Sequence, residues 1–162
     1  MVVLAPLFAL VALVVALDVG VPTLFWQERV GRYGRRIAVH KFRTFKAPVD
    51  RRGHVLPDAS RLSRAGRFLR ATRLDELPQL YDILCGEMSL IGTRPLLPVD
   101  QPLDSAIRLQ ALPGLTGWAQ VHGGKLVTAE EKNALDEWYI AHVSPRVDLH
   151  IIWRDDFGAI SR

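Results

Sequence analysis

Two adjacent acids, Asp75 and Glu76, stand in the stretch RATRLDELPQL between two arginines and a proline. Side-by-side carboxylates repel each other, so a chain that places them near Arg70 and Arg73 has the charge to hold them ionised. An ionised carboxylate of this kind can act as a nucleophile, and its neighbour can take one position on a divalent cation. Successive helical residues diverge by about 100°, so the two side chains reach different partners close together. The plainer alternative is an N-cap aspartate and a first-turn glutamate, each worth about 1 kcal/mol to a helix start.

The elements around the pair must decide between these readings. Pro78 is tolerated only in a first turn, which sets a helix start near Asp75 and predicts a buried stripe of Leu77, Leu80, Tyr81 and Leu84. Upstream, Arg61, Arg64, Arg67, Arg70 and Arg73 alternate with Leu62, Ala65, Phe68 and Leu69, which predicts one amphipathic cationic helix over 61–73. A three-residue step drifts by about 60° on a helix, so the five arginines split between lipid headgroups and the acids. IAVHKFRTF, residues 37–45, alternates as a short strand, and residues 47–58 form a turn-rich mobile loop. TAEEKNALDEWYIAH, residues 128–142, opens with a capping box of Thr128 and Glu131 and predicts a helix with Leu135, Trp138, Tyr139 and His142 on one face. RVDLHIIW, residues 146–153, fits either a strand or a helix.

At 162 residues the chain suits one domain with a real core. Its net charge of +4 is unevenly spread: residues 1–17 carry no charge, and Arg29, Arg32, Arg35, Arg36, Lys41, Arg43 and Lys46 then face Glu28 alone. An apolar run with its cations downstream is the reverse of a cleaved signal peptide and predicts retained membrane association. Seventeen helical residues reach roughly 25 Å, short of a hydrocarbon core of about 30 Å. Pro6 would kink a helix continuing through it, so a re-entrant hairpin fits as well as a span; a buried core helix is the bland alternative. The positive-inside rule puts the cations on the cytoplasmic side, with Trp26 at the interface. The expected organisation is therefore a membrane segment over 1–25 and a cytoplasmic domain over 26–162, α+β in class and mostly helical. Lone Cys85 excludes an internal disulfide. The five histidines lack metal-ligand spacing, and no phosphate-binding P-loop is present.

Four stretches in order, KFRTF (41–45), RLDELPQL (73–80), GEMSLIGTRPLLP (86–98) and PGLTGWAQVHG (113–123), resemble the bacterial sugar transferase family. These are the monotopic polyprenyl-phosphate phosphoglycosyl transferases, and the likeness runs over about residues 4–152. It implies transfer of a phosphosugar from a nucleoside diphosphate sugar, usually a UDP-sugar, to undecaprenyl phosphate with release of UMP, the first membrane step of a bacterial glycan. It also implies that Asp75 attacks the phosphate next to the sugar and that Glu76 binds Mg²⁺. Lys41, Arg70 and Arg94 become phosphate contacts by the same likeness. Asp136 falls on a late helix that contributes to the site, and Gly114 and Gly117 shape a loop around the donor, with Trp118 beside them. The implied partners are a UDP-sugar, undecaprenyl phosphate and membrane lipid, with no nucleic acid; a homo-oligomer is compatible. The implied location is the cytoplasmic face of the bacterial inner membrane.

Three departures stand out. Ala5-Pro6 replaces the family's usual Ser-Pro at the bend of the re-entrant helix. The chain opens at that bend where relatives run on for ten or more residues before it, so either Met1 is not the natural start or the segment inserts differently. His122, Gly123, Gly124 and Lys125 replace a usual Asn-Gly-Arg, which removes a donor-contacting arginine. Two rival readings are a membrane-anchored, non-catalytic scaffold of a glycan assembly complex and a basic nucleic-acid-binding module.

Overall fold

The computed structural model describes residues 2–49, 54–102, 106–123 and 127–160, the side chains of Val2, Ala59 and residues 156–160 excepted. Helices outweigh strands, an α+β composition, and the chain divides into two compact units. One comprises Met1–Gln27 and His40–Tyr81, the other Glu28–Val39 and Asp82–Arg162.

In the first unit the apolar N-terminal run forms α1 (Ala5–Asp18) after a single 3-10 turn at Val2–Leu4. Pro6 lies in the first turn, where its missing N–H has no partner to lose, so it starts the helix and does not kink one. No helix among the described residues is long and apolar enough to cross a membrane. Val11 and Val15 of α1 are buried with Phe42 and Leu69, and Phe8 packs its ring 4.8 Å from that of Phe42. Leu10, Leu13 and Leu17 remain exposed.

Strands β1 (Leu24–Val30) and β2 (Arg36–Phe42) pair in a two-stranded sheet, and both pass from one unit to the other. The turn between them holds Tyr33 at φ +58°, a left-handed conformation that glycine normally takes. β2 ends three residues before the predicted strand does, and Phe45 instead bridges to Leu62. In the predicted mobile loop, Val49 bridges to Val55, and residues 50–53 lie outside the described residues.

The single cationic helix expected over 61–73 is in fact two, α2 (Asp58–Arg61) and α3 (Arg64–Ala71). The break has a local cause: Ser63 takes extended backbone and its hydroxyl accepts from the Gly66 amide at 2.8 Å, an N-cap. Gly66 also lies against the Thr44 carbonyl, where a Cβ would collide. Past α3, Arg73 adopts φ +55°, a 3-10 turn covers Leu74–Glu76, and α4 runs Gln79–Leu84. The predicted stripe is corrected here. Tyr81 and Leu84 are 57% and 67% exposed, whereas Asp75, Pro78 and Gln79 are buried, so this segment turns polar groups inward.

The second unit carries β3 (Ser89–Ile91) and β4 (Gly114–Thr116), paired parallel with Ser89 opposite Gly114 and Ile91 opposite Thr116. Gly114 and Gly117 pack directly on the backbone of Gly92, and a Cβ on either would collide with it. Met88 is buried with Ile37 and Val39, and Ile83 packs against them. Helices α5 (Trp118–Gly123), α6 (Ala129–His142) and α7 (Pro145–Ile160) pack together. The Thr128–Glu131 capping box forms as predicted, and RVDLHIIW proves helical. On α6 the buried positions are Asp136 and Tyr139, while Trp138 and His142 stay exposed. Gly124 and Lys125 lie outside the described residues.

Candidate functional site

The first unit brings Lys41, Arg70, Asp75 and Glu76 into electrostatic range of one another. The left-handed turn at Arg73 makes this possible: its carbonyl accepts from the Glu76 amide at 3.0 Å, and the reversal sends Asp75 inward to 7% exposure. Glu76 stays half-buried and meets the Lys41 ammonium at 2.5 Å. Arg70 lies with its guanidinium carbon 4.6 Å from the centre of the Phe45 ring, a cation–π seat. Phe45 closes the KFRTF stretch, and its support of Arg70 is a role that the stretch by itself did not signal.

Burial pushes the Asp75 carboxyl above the ordinary aspartate range, and the charge of Glu76 pushes it further. Lys41, Arg70 and a backbone hydrogen bond pull the other way and only partly offset this. Desolvation thus outweighs the pull of the cations, and the ionised form of Asp75 costs more here than on a solvated aspartate. A raised carboxyl is the more basic one, a property that suits a nucleophile once ionised. Gln79, 3% exposed and four residues after Asp75, has a side-chain nitrogen with no partner among the described residues.

Among the described residues no group of three His, Cys, Asp or Glu side chains could hold a metal ion. The donor set does fit Mg²⁺ in its common mode, one or two carboxylates with water and substrate phosphate oxygens supplying the rest. The mutual repulsion that raises Asp75 is the charge a cation would relieve, with the Lys41 ammonium as its competitor at Glu76.

The remaining predicted residues, Arg94, Gly114, Gly117 and Asp136, belong to the second unit. Arg94 is exposed, just past β3. Asp136 is 2% exposed and accepts from Arg108 Nη2 at 2.7 Å. Burial raises its carboxyl, and the Arg108 hydrogen bond and charge pull it back. The same Arg108 nitrogen donates to the Arg94 carbonyl at 2.8 Å, and Nη1 donates to Gln101 Oε1 at 3.1 Å. Nothing in SAIRLQ marked Arg108 for this: an arginine amid polar and apolar neighbours reads as surface. Gly114 and Gly117 are explained by their close approach to Gly92, and Trp118 packs on Trp138 at 4.3 Å and on His122 at 3.8 Å.

A sequestered carboxylate beside a second acid and two cations suits an enzyme that works on phosphates. Comparison with known proteins agrees in class. Residues 1–161 match the family described as bacterial sugar transferase, and the chain belongs to that family. An uncharacterized sugar transferase, EpsL, of Bacillus subtilis is 43% identical over 86% of this chain and 70% of its own length. An undecaprenyl-phosphate glucose phosphotransferase of Komagataeibacter xylinus is 41% identical over 93% of this chain and 31% of its own. A UDP-glucose:undecaprenyl-phosphate glucose-1-phosphate transferase of Caulobacter vibrioides is 41% identical, with 93% and 61% covered. The chain thus spans from about a third to somewhat over two thirds of the length of these relatives.

Proposed function

We propose that this chain transfers a phosphosugar from a UDP-sugar to undecaprenyl phosphate and releases UMP, with Asp75 as the nucleophile. The observation that carries the reading is Asp75 itself, a carboxylate 7% exposed and raised in pKa, within the electrostatic reach of Lys41 and Arg70. The names of the relatives support the substrates. In the first step an Asp75 carboxylate oxygen bonds to the phosphorus next to the sugar, the bridging P–O bond breaks, and UMP leaves with the electron pair. In the second, a phosphate oxygen of undecaprenyl phosphate bonds to that phosphorus and frees the carboxylate. One site can so serve a water-soluble donor and a lipid acceptor in turn.

Arg70, presented from the Phe45 ring, and Lys41 supply fixed positive charge for non-bridging oxygens; Arg94 offers a guanidinium suited to the same task. Glu76, with Asp75 beside it, would hold Mg²⁺, which when bound neutralises charge developing on phosphate. The exposed leucines of α1 and the cations after it support seating at the cytoplasmic face of the inner membrane. The test is UMP release by detergent-solubilised protein given UDP-sugars, Mg²⁺ and undecaprenyl phosphate, with intact-mass measurement after donor alone. The expected result is a phosphosugar-sized mass gain on the peptide bearing Asp75, lost together with turnover in Asp75→Asn. Sustained UMP release by Asp75→Asn would overturn the assignment.

A further inference from the structure

Arg108 and Asp136 form a buried ion pair in the second unit, their side chains 3% and 2% exposed. We propose that this pair is a positioning clamp for the Thr93–Arg94 main chain and that neither member touches substrate. The proposal rests on the reading of Arg94 as a phosphate contact only for its consequence in turnover; the clamp itself stands on geometry.

Arg108 is the hub. Its Nη2 bridges the Asp136 carboxylate at 2.7 Å and the Arg94 carbonyl at 2.8 Å, and Nη1 reaches Gln101 at 3.1 Å. Its own carbonyl accepts from the Thr93 hydroxyl at 3.5 Å. The same segment is tied from the other side, where Gly92 donates to Thr116 at 2.9 Å and Gly114 donates to the Thr93 carbonyl at 2.8 Å. Gly114 and Gly117 let their backbone approach Gly92 this closely, since a Cβ at either would collide with it. The result is an exposed guanidinium carried on a main chain held at successive residues. Side-chain entropy is what a long arginine loses on binding, and a fixed backbone leaves only that to lose.

Asp136 is buried, with one carboxylate oxygen occupied by Arg108. The pair is not well explained as a source of stability. Buried ion pairs seldom outperform well-packed apolar side chains, so a specific geometric task is the better account of this one. Arg108 Nε, buried with its side chain, has no partner among the described residues, which also argues against a cluster optimised for stability alone.

The decisive experiment uses the full chain in detergent and the combined variant Arg108→Met with Asp136→Leu. It fills the space with apolar groups and removes the donor to the Arg94 carbonyl. Hydrogen exchange read by mass spectrometry should show amides of residues 92–94 opening roughly fivefold or more faster, the equivalent of one net hydrogen bond. Exchange at residues 11–15 should not change. KM for the UDP-sugar should rise more than kcat falls, Arg94→Ala should give the same KM rise, and the triple variant should add nothing. Asp136→Asn, close in shape, is the second variant should the first not fold, with a smaller rise in exchange at the same amides. A folded variant with unchanged exchange at residues 92–94, or KM effects that add in full to those of Arg94→Ala, overturns the clamp. Faster exchange with Arg94→Ala kinetically silent sustains the clamp and instead removes Arg94 from the phosphate contacts.

Discussion

At the scale of single residues, the conflict at Asp75 yields the sharpest expectations. Its carboxyl is raised chiefly by burial and then by Glu76. A group whose folded pKa exceeds its unfolded one contributes stability that is full below the unfolded value, here 3.8, and lost as pH rises through the folded value. At pH 7 the ionised group therefore opposes folding. Asp75→Asn is expected to raise Tm at pH 7 while abolishing turnover, with the gain shrinking as the buffer is acidified; scanning calorimetry across pH reads both. A lower Tm at pH 7 would contradict the burial argument. Turnover requires the ionised form, so UMP release should decline on acidification at a pH above the ordinary aspartate range. Lys41 pulls the Asp75 carboxyl down, so Lys41→Met should move that acid limb to still higher pH. The acidic pair and its nearby cations were plain in the linear chain. Which influence prevails was not, because desolvation depends on what covers a residue.

At the scale of elements, local signals and long-range ones behaved differently. The Thr128–Glu131 capping box needs only residues three apart, and it formed as read, with both reciprocal hydrogen bonds. Arginine periodicity predicts one helix over 61–73, but a weaker local signal, Ser63 ahead of Gly66, breaks it in two. Ser63→Ala removes that cap and should cost about 1 kcal/mol in a denaturant titration. Gly66→Ala should cost more, since its Cβ would collide with the Thr44 carbonyl. The polar inner side of the segment after Arg73 could not be anticipated from hydrophobic spacing at all. Leu77, Leu80, Tyr81 and Leu84 fit a buried stripe, yet a left-handed Arg73 and a 3-10 turn set a different rotation.

At the scale of the whole molecule, α1 has two tasks that its composition alone does not separate. Val15, with no exposure at all, anchors a core with Val11, Phe42 and Leu69. Val15→Ala should cost roughly 2 kcal/mol in unfolding free energy, the loss of two buried methyl-sized groups. Leu10, Leu13 and Leu17, 58%, 56% and 80% exposed, do not join that core among the described residues. Replacing all three by serine should leave Tm nearly unchanged and reduce flotation with anionic lipid vesicles, whereas undiminished flotation would sink the proposed membrane seat.

The amino-acid sequence by itself determined the family, the acidic pair, the Thr128–Glu131 capping box, and an apolar N-terminus followed by cations, because each is written in residue type and short spacing. Only the tertiary structure decided that Asp75 is sequestered while Glu76 answers to Lys41, that Asp136 serves Arg108, and that the glycines mark a crossing of chains. Those outcomes turn on burial and on partners far apart in the chain, such as Arg108 and Asp136. Electrostatic free energy in a protein follows solvent exclusion, and exclusion is a property of the packed molecule.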